Sequence, residues 1–177
     1  MNDKRPVGYL VPDFPAQTHA FFWREVAAIE EAGGTVHLFS TRRPADAACP
    51  HDFADAARAR TTYLFPPRWG QALGRLLRHP VRSARAVKYV LGLSETPLVQ
   101  RLKLLALIPT AADLAAYIRD RGIAHVHIHS CANSAHLGAL GHILDDIPYS
   151  LTLHGDLPVY GTDHRAKMAR AQFVSAV

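Results

Sequence analysis

The chain has 177 residues, of which 49% are hydrophobic and 20% charged, a composition that supports one folded domain with a buried core. This composition excludes a disordered polypeptide, and the sequence contains no stretch of about 18 uninterrupted apolar residues that would span a membrane. The net charge of +5 favours an anionic partner, such as a nucleotide, a phospholipid surface or nucleic acid, without choosing among them.

The first forty residues predict a β-α-β unit. Val7 to Val11 is a short apolar run typical of a buried strand, and Thr18 is placed as the N-cap of the helix that follows. Gly33 ends this helix, and a second strand is predicted from Val36 to Thr41. A right-handed crossover makes the two strands parallel. The turn after the first strand holds two prolines and no glycine, which disfavours an NAD or FAD site there.

The middle of the chain changes in composition. Residues 42–60 are predicted as a loop or short helix, and Thr61 to Phe65 as a third strand. From Arg68 to Lys103 the sequence has eight basic residues and one acidic residue, with apolar residues at helical intervals and a break at Pro80. We interpret residues 68–107 as a basic helical insertion. Such a segment is typical of a membrane-surface contact, and equally of surface helices whose apolar stripe packs on the domain.

The rest of the sequence alternates helices and strands. The predicted helices are Ala111 to Arg121, Asn133 to Leu144 and His164 to Ala171, and the predicted strands are His125 to His129, Tyr149 to Leu153 and Phe173 to Val177. Gly138 and Gly141 are predicted on the packing side of the second of these helices. We therefore predict an α/β domain over residues 1–177, with a Rossmann-like parallel sheet flanked by helices. Because the sequence stops inside an apolar run, we expect it to be part of a longer chain.

Three segments are predicted to meet at the carboxyl edge of this sheet, where ligands bind in open α/β folds. They are the loop after the first strand, His129 with the helix start at Asn133, and the turn from His154 to Asp156 that follows the fifth strand. Taken singly, Thr18 and Asn133 are helix caps and His154 is a turn residue. Taken together, the three segments indicate a cleft for a phosphorylated or hydroxyl-rich ligand.

Other chemistries receive little support. His125, His127 and His129 alternate along one strand and could bind zinc, but no H-E-x-x-H helix or cysteine pair accompanies them, and we predict no metal and no cofactor. A G-x-S-x-G elbow and a P-loop are absent, and the basic segment lacks the interleaved aromatics of a nucleic-acid surface. Cys49 and Cys131 lie far apart, which indicates a reducing compartment. With no secretion signal at the N-terminus, we expect a cytoplasmic protein.

Several motifs, in order, carry a family resemblance. In the first loop and helix the matching residues are Phe14, Pro15, Thr18, Phe21, Glu25, Val26, Ile29 and Gly33. The sequences HVHIH from His125, PYSLTLHGD from Pro148 and KMARAQFV from Lys167 continue the pattern. The chain resembles the N-terminal half of a family 4 (group 1) glycosyltransferase of GT-B fold, of the kind that builds bacterial cell-surface polysaccharides. Gln17 and His19 depart from the glutamate-containing loop of that family.

The resemblance implies a retaining transfer of a sugar from a nucleotide-sugar donor to a glycan or lipid-linked acceptor. It also implies that this domain holds the acceptor. If the basic segment is a membrane-surface contact, we expect that contact at the inner face of the cell membrane, through residues 68–103. His154 is then the catalytic residue, because the histidine of the family's T-x-H-G turn reaches the transferred sugar. The expected substrate-binding residues are Gln17, Thr18, His129, Asn133 and Asp156.

The donor side of such an enzyme is missing from the sequence. The donor-binding domain of the family carries two glutamates separated by seven residues, and no glutamates are so paired here. We therefore expect that the C-terminal donor-binding domain is absent and that this chain alone is inactive. The alternative is a stand-alone Rossmann-like binding or scaffolding module that acts with a separate chain.

Overall fold

The computed structural model describes residues 5–177. The strands are β1 (Val7–Leu10), β2 (Val36–Ser40), β3 (Thr62–Tyr63), β4 (His125–Ile128), β5 (Tyr149–Leu153) and β6 (Val174–Ala176). The α-helices are α1 (Ala20–Glu31), α2 (Ala54–Arg60), α3 (Trp69–Arg78), α4 (Pro80–Leu91), α5 (Leu98–Leu104), α6 (Leu107–Asp120), α7 (Asn133–Asp145) and α8 (His164–Met168). The strands form one parallel sheet in the order β3-β2-β1-β4-β5-β6. The protein therefore has the predicted Rossmann-like α/β fold.

The strand order places a topological switch point between β1 and β4. The chain builds the sheet from β1 toward β3 on one side, then crosses to β4 and builds toward β6 on the other. Val7 of β1 accordingly pairs with Val36 on one side and with His125 on the other. At a switch point the connections leave the two neighbouring strands in opposite directions, which opens a crevice outside their carboxyl ends. This crevice is the expected location of a ligand site in the fold.

The two faces of β1 belong to different apolar cores. Leu10 lies in the larger core with the helices α3, α4, α6 and α7, whereas Tyr9 lies in the smaller core with Phe22 and Val26 of α1. Successive strand residues point to opposite faces, so neighbouring apolar residues serve both cores. This explains why β1 is an uninterrupted apolar run, as is usual for a parallel strand covered on both faces.

Helix α7 lies close to the sheet because of Gly138. A Cβ atom at this position would lie 2.6 Å from Cδ1 of Ile128 and 2.7 Å from Cδ2 of Tyr149, distances that atoms do not tolerate. A Cβ at Gly141 would lie 3.3 Å from Cδ1 of Ile147. Both glycines therefore face the sheet side, which confirms the prediction made from the sequence.

The basic insertion folds as α3, α4 and α5, with the first two helices separated at Pro80 as predicted. Pro80 occupies the first position of α4, where the N–H that proline lacks would have no partner in any case. Helix α3 packs against α6, and α4 packs against α7. Over residues 5–177, no helix is both long and apolar enough to cross a lipid bilayer.

Two local predictions are wrong. Thr18 is not an N-cap, because residues Gln17–His19 form a 3₁₀ turn and α1 begins only at Ala20, without a side-chain cap. Helix α7, by contrast, begins at Asn133 as predicted, with Ala132 at the cap position. Strand β3 has two residues instead of five, because the two prolines that follow Phe65 have no N–H to continue the ladder with β2.

Candidate functional site

The carboxyl ends of β1, β4 and β5 meet the start of α1 around a cavity of about 250 Å³. Three of the predicted site residues line it, namely Thr18, His129 and His154. His129 directly follows β4 and His154 directly follows β5, so the parallel pairing of the two strands brings these histidines together. The sheet itself therefore fixes the spacing of the two imidazoles.

The two imidazoles are in direct contact. Nδ1 of His129 lies 3.1 Å from Nε2 of His154, and the rings are stacked with centroids 5.4 Å apart. A contact of this length between ring nitrogens requires one of them to carry the proton and the other to accept it. The pair thus ties the orientation of His154 to that of His129.

His129 is the buried member of the pair. Its side chain is enclosed by aromatic rings, with the Tyr9 centroid at 4.3 Å and the Phe22 centroid at 4.7 Å. This burial, reinforced by the neighbouring His127 and His154, lowers the pKa of His129 to about 2. Its Nε2 atom is also buried and has no hydrogen-bond partner among residues 5–177. His129 is therefore a neutral ring whose main contact at the cavity is His154.

His154 is the exposed member of the pair. Its ring packs beside Phe21 and Phe22, with both centroids 5.3 Å away. Its backbone N–H donates to the hydroxyl of Tyr160 at 2.7 Å, which anchors the turn after β5 to the 3₁₀ helix Leu157–Tyr160. Partial burial lowers the pKa of His154, and the carboxylate of Glu25 opposes this shift. The side chain is thus held in place but remains accessible to a ligand.

His19 is a site residue that the sequence reasoning missed. It lines the same cavity, its ring stacks on Phe14 at 5.9 Å, and its buried Nδ1 atom has no hydrogen-bond partner among the described residues. Burial lowers its pKa, against the attraction of Asp13. The signal available in the sequence was the position of His19 beside Thr18 in the first βα loop. Its helical context led to its interpretation as part of α1.

The remaining predicted residues lie elsewhere. The Gln17 side chain is exposed, and its backbone carbonyl contacts Nε2 of His51 at 2.7 Å. Asp156 is exposed and precedes the 3₁₀ helix without capping it, so it does not line the cavity of His154. Asn133 lies on the other side of β4, where it borders two different cavities. The structure therefore brings together three of the six residues.

One of these other cavities lies at the switch point itself and measures about 350 Å³. Asp13, which follows β1, and Arg42, which follows β2, form a two-armed ion pair at its rim. The hydroxyl of Ser40 accepts a hydrogen bond from the backbone N–H of Phe14 at 2.9 Å and donates one to the carbonyl of Arg42 at 3.0 Å. These contacts hold the glycine-free first loop against the end of β2.

The strand histidines are engaged with hydroxyl groups. Nε2 of His125 contacts the Ser150 hydroxyl at 2.6 Å, and His127 contacts Ser150 at 2.7 Å and Thr152 at 2.9 Å. Within residues 5–177, no group of three His, Cys, Asp or Glu side chains is arranged to hold a metal ion. The imidazoles of His125 and His127 therefore link β4 to β5 through side-chain hydrogen bonds.

A comparison with models of protein families finds no match for this sequence. A search of curated proteins also finds none.

Proposed function

We propose that this chain is the acceptor-binding domain of a retaining glycosyltransferase, in which His154 contacts the sugar being transferred. The observation that carries the proposal is the pairing of His129 with His154 at 3.1 Å, inside a cavity at the carboxyl edge of the sheet. In the transfer, the bond from the anomeric carbon to the nucleotide breaks and a bond to an acceptor hydroxyl oxygen forms. The nucleotide departs with the electron pair of the broken bond, and its phosphate takes up the proton that the acceptor hydroxyl loses.

The chemistry of the cavity suits a sugar. A neutral imidazole both donates and accepts hydrogen bonds, as a sugar hydroxyl does, and Nδ1 of His154 has no hydrogen-bond partner among the described residues. Phe21 and Phe22 provide an apolar wall beside it for the C–H face of a ring. The volume of about 250 Å³ is below the range of roughly 300–1,000 Å³ for drug-sized ligands, so it suits one sugar unit rather than a whole nucleotide-sugar.

The nucleotide-sugar donor is assigned mainly to a second domain. The first βα loop has no glycine to admit a pyrophosphate close to the backbone, and the paired glutamates of a donor domain are absent from the sequence. On this proposal the acceptor is a glycan or a lipid-linked glycan in polysaccharide biosynthesis. The isolated chain then binds acceptor but does not transfer sugar.

The basic insertion supports a peripheral contact with anionic lipid. Trp69, Leu73 and Leu77 follow one another at four-residue spacing along α3 and are 54%, 49% and 79% exposed. The apolar packing of α3 and α4 on the domain is made by other residues, among them Ala72, Ala86 and Val90. An exposed apolar stripe with flanking arginines is the composition of helices that lie on anionic membrane surfaces. Such a contact would place the cleft near a lipid-linked acceptor.

Acceptor binding is tested on the chain itself by NMR, with a panel of simple glycosides as probes. We expect saturable shifts of resonances from His154, His19 and Thr18, which line the cavity, and loss of these shifts in His154→Ala. His37→Gln is the matched control that retains these shifts, because His37 lies near the amino end of β2, away from the carboxyl edge of the sheet. Glycoside-induced shifts confined to residues outside the cavity would contradict the proposal. A stop codon directly after Val177 in the gene would favour the stand-alone binding module instead.

A further inference from the structure

The other cavity that Asn133 borders, of about 220 Å³, lies between α5, the start of α7 and the segment that joins β5 to α8. Lys167 of α8 lines it although its side chain is only 2% exposed. The ammonium group donates hydrogen bonds to the backbone carbonyls of Cys131 and Tyr160, each at 2.8 Å. An ammonium has three N–H donors, so two carbonyls leave one donor unassigned.

Among residues 5–177, the ammonium of Lys167 forms no ion pair with a carboxylate. Burial lowers the pKa of Lys167, and the more distant carboxylates of Asp163 and Glu95 oppose this shift. The carboxylate of Asp163 is nearby, but its oxygens accept hydrogen bonds from the Thr96 hydroxyl at 2.6 Å and from the backbone N–H of Glu95 at 3.2 Å. Burying a charge without a paired charge is costly, so lysines this inaccessible are rare unless an anion accompanies them.

The surroundings of the cavity add positive potential. Lys103, an exposed residue in the last turn of α5, is a second lysine on its lining. Asn133 on the opposite wall is the first residue of α7, a helix of 13 residues with no acidic residue in its first turn. The first backbone N–H groups of a helix lack intrahelical partners and carry the positive end of the dipole. No carboxylate of the described residues lines this cavity.

We propose that this cavity is an anion site for a phosphate group, held by Lys167, Lys103 and the first turn of α7. A phosphate dianion balances the two lysines, and its oxygens accept hydrogen bonds from the third Lys167 donor and the backbone of Asn133. The side-chain amide of Gln100, also on the lining, supplies a neutral donor. The volume suits inorganic phosphate or the phosphate end of a small molecule rather than a nucleotide. The inference is independent of the sugar-transfer proposal, since it involves neither His129 nor His154.

The test is calorimetric titration of the chain with inorganic phosphate at constant ionic strength, with amide NMR shifts of Asn133 as a second readout. We expect saturable binding with a dissociation constant of about 1 mM and a weaker response to acetate. Lys103→Gln, at an exposed position, weakens binding roughly tenfold, the effect of one charge-assisted contact. Lys167→Met removes saturable binding.

The control is Lys88→Gln, because Lys88 lines a separate basic cavity with Arg82, Arg85 and Arg170 and is expected to leave the affinity unchanged. If Lys167→Met fails to fold, the phosphate affinity of Lys103→Gln alone tests the proposal. The proposal is overturned by the absence of saturable binding, by a Lys103→Gln affinity equal to that of the wild type, or by loss of binding in Lys88→Gln.

Discussion

Nδ1 of His129 and Nε2 of His154 lie 3.1 Å apart, at the carboxyl ends of two neighbouring parallel strands. Because burial lowers the pKa of His129 to about 2, His129 stays neutral and acts on the site only through its contact with His154. We therefore interpret His129 as a positioning residue rather than as a direct ligand contact. His154 is the residue of the pair that presents its ring to the cavity.

The neutral state of His129 predicts a pH dependence of stability. Its folded-state pKa is lowered to about 2 from an ordinary value of 6.5, so between these values the unfolded chain binds more protons. The contribution of the neutral, buried His129 ring to the free energy of unfolding is fully present above about pH 6.5. It is lost progressively as the pH falls toward 2. In His129→Phe, which keeps an aromatic ring in the enclosure, we expect the free energy of unfolding to fall less steeply below pH 6. The reduction in slope is at most about 1.4 kcal/mol per pH unit. Urea unfolding at pH 7, 6, 5 and 4 measures it, and parallel curves for the two proteins would refute the prediction.

Gly138 is predicted to be indispensable for the packing of α7 on the sheet. A methyl group there meets the Ile128 and Tyr149 side chains at 2.6 and 2.7 Å, so we expect Gly138→Ala to lower the free energy of unfolding by about 1–3 kcal/mol. Gly74→Ala is the matched control, because Gly74 lies within α3 and a Cβ there meets nothing within 4 Å. Alanine in that helix should be neutral or stabilising by up to about 1 kcal/mol. Thermal or urea unfolding distinguishes the two, and equal effects would contradict the packing argument.

The ion pair between Arg68 and Asp113 is predicted to hold α3 on α6. Asp113 is buried, and its carboxylate accepts two hydrogen bonds from Arg68. One comes from Nε of Arg68 at 2.8 Å and the other from the backbone N–H of Arg68 at 2.9 Å. Arg68→Met leaves this carboxylate without its charge partner, for which we expect a loss of about 2–4 kcal/mol. Adding Asp113→Asn removes the unpaired charge and should restore part of the stability. A double variant that is less stable by the sum of the two single losses would exclude this explanation.

The exposed stripe on α3 is predicted to carry membrane association. Replacing Leu73 and Leu77 by glutamine removes two apolar side chains, each contributing about 1.5–3 kcal/mol when buried. The partition coefficient of the protein between anionic vesicles and solution should therefore fall at least tenfold. Co-sedimentation with anionic vesicles at low salt measures the bound fraction. Val159→Gln is the control, because Val159 is as exposed as Leu77 but lies in the 3₁₀ helix after β5. Wild-type protein that stays in the supernatant under these conditions would contradict the membrane contact.

Most of the fold could be predicted from the sequence, because its signals are local and strong. The apolar run of β1 and the alternation of β5 marked strands, and Gly33 and Pro80 marked helix boundaries that the structure retains. The errors occur where several short-range preferences compete. Thr18 is a good capping residue by type, but the loop uses a backbone 3₁₀ turn instead, in which the N–H of His19 donates to the carbonyl of Ala16.

The candidate site was predictable only in part. His129 and His154 could be placed together because strand ends in a parallel sheet share one edge. Asn133 follows β4 equally closely, but the path into α7 carries it to the opposite side of that strand. The burial of Lys167 could not be predicted, because it depends on the carbonyl of the distant Cys131 as well as on that of Tyr160. Its position in a short helix resembles that of any surface lysine.

Sugar transfer by the complete protein encoded by the reading frame tests the function most directly. Membrane vesicles supply acceptors, a panel of labelled nucleotide-sugars supplies donors, and His154→Ala is compared with wild type and with His37→Gln. We predict transfer from at least one donor, with a loss of turnover of roughly 10²-fold or more in His154→Ala, the scale of a contact made in the transition state. We predict unchanged transfer in His37→Gln. Full activity of His154→Ala, or no transfer from any nucleotide-sugar, would contradict the assignment of His154 to a sugar-transfer site.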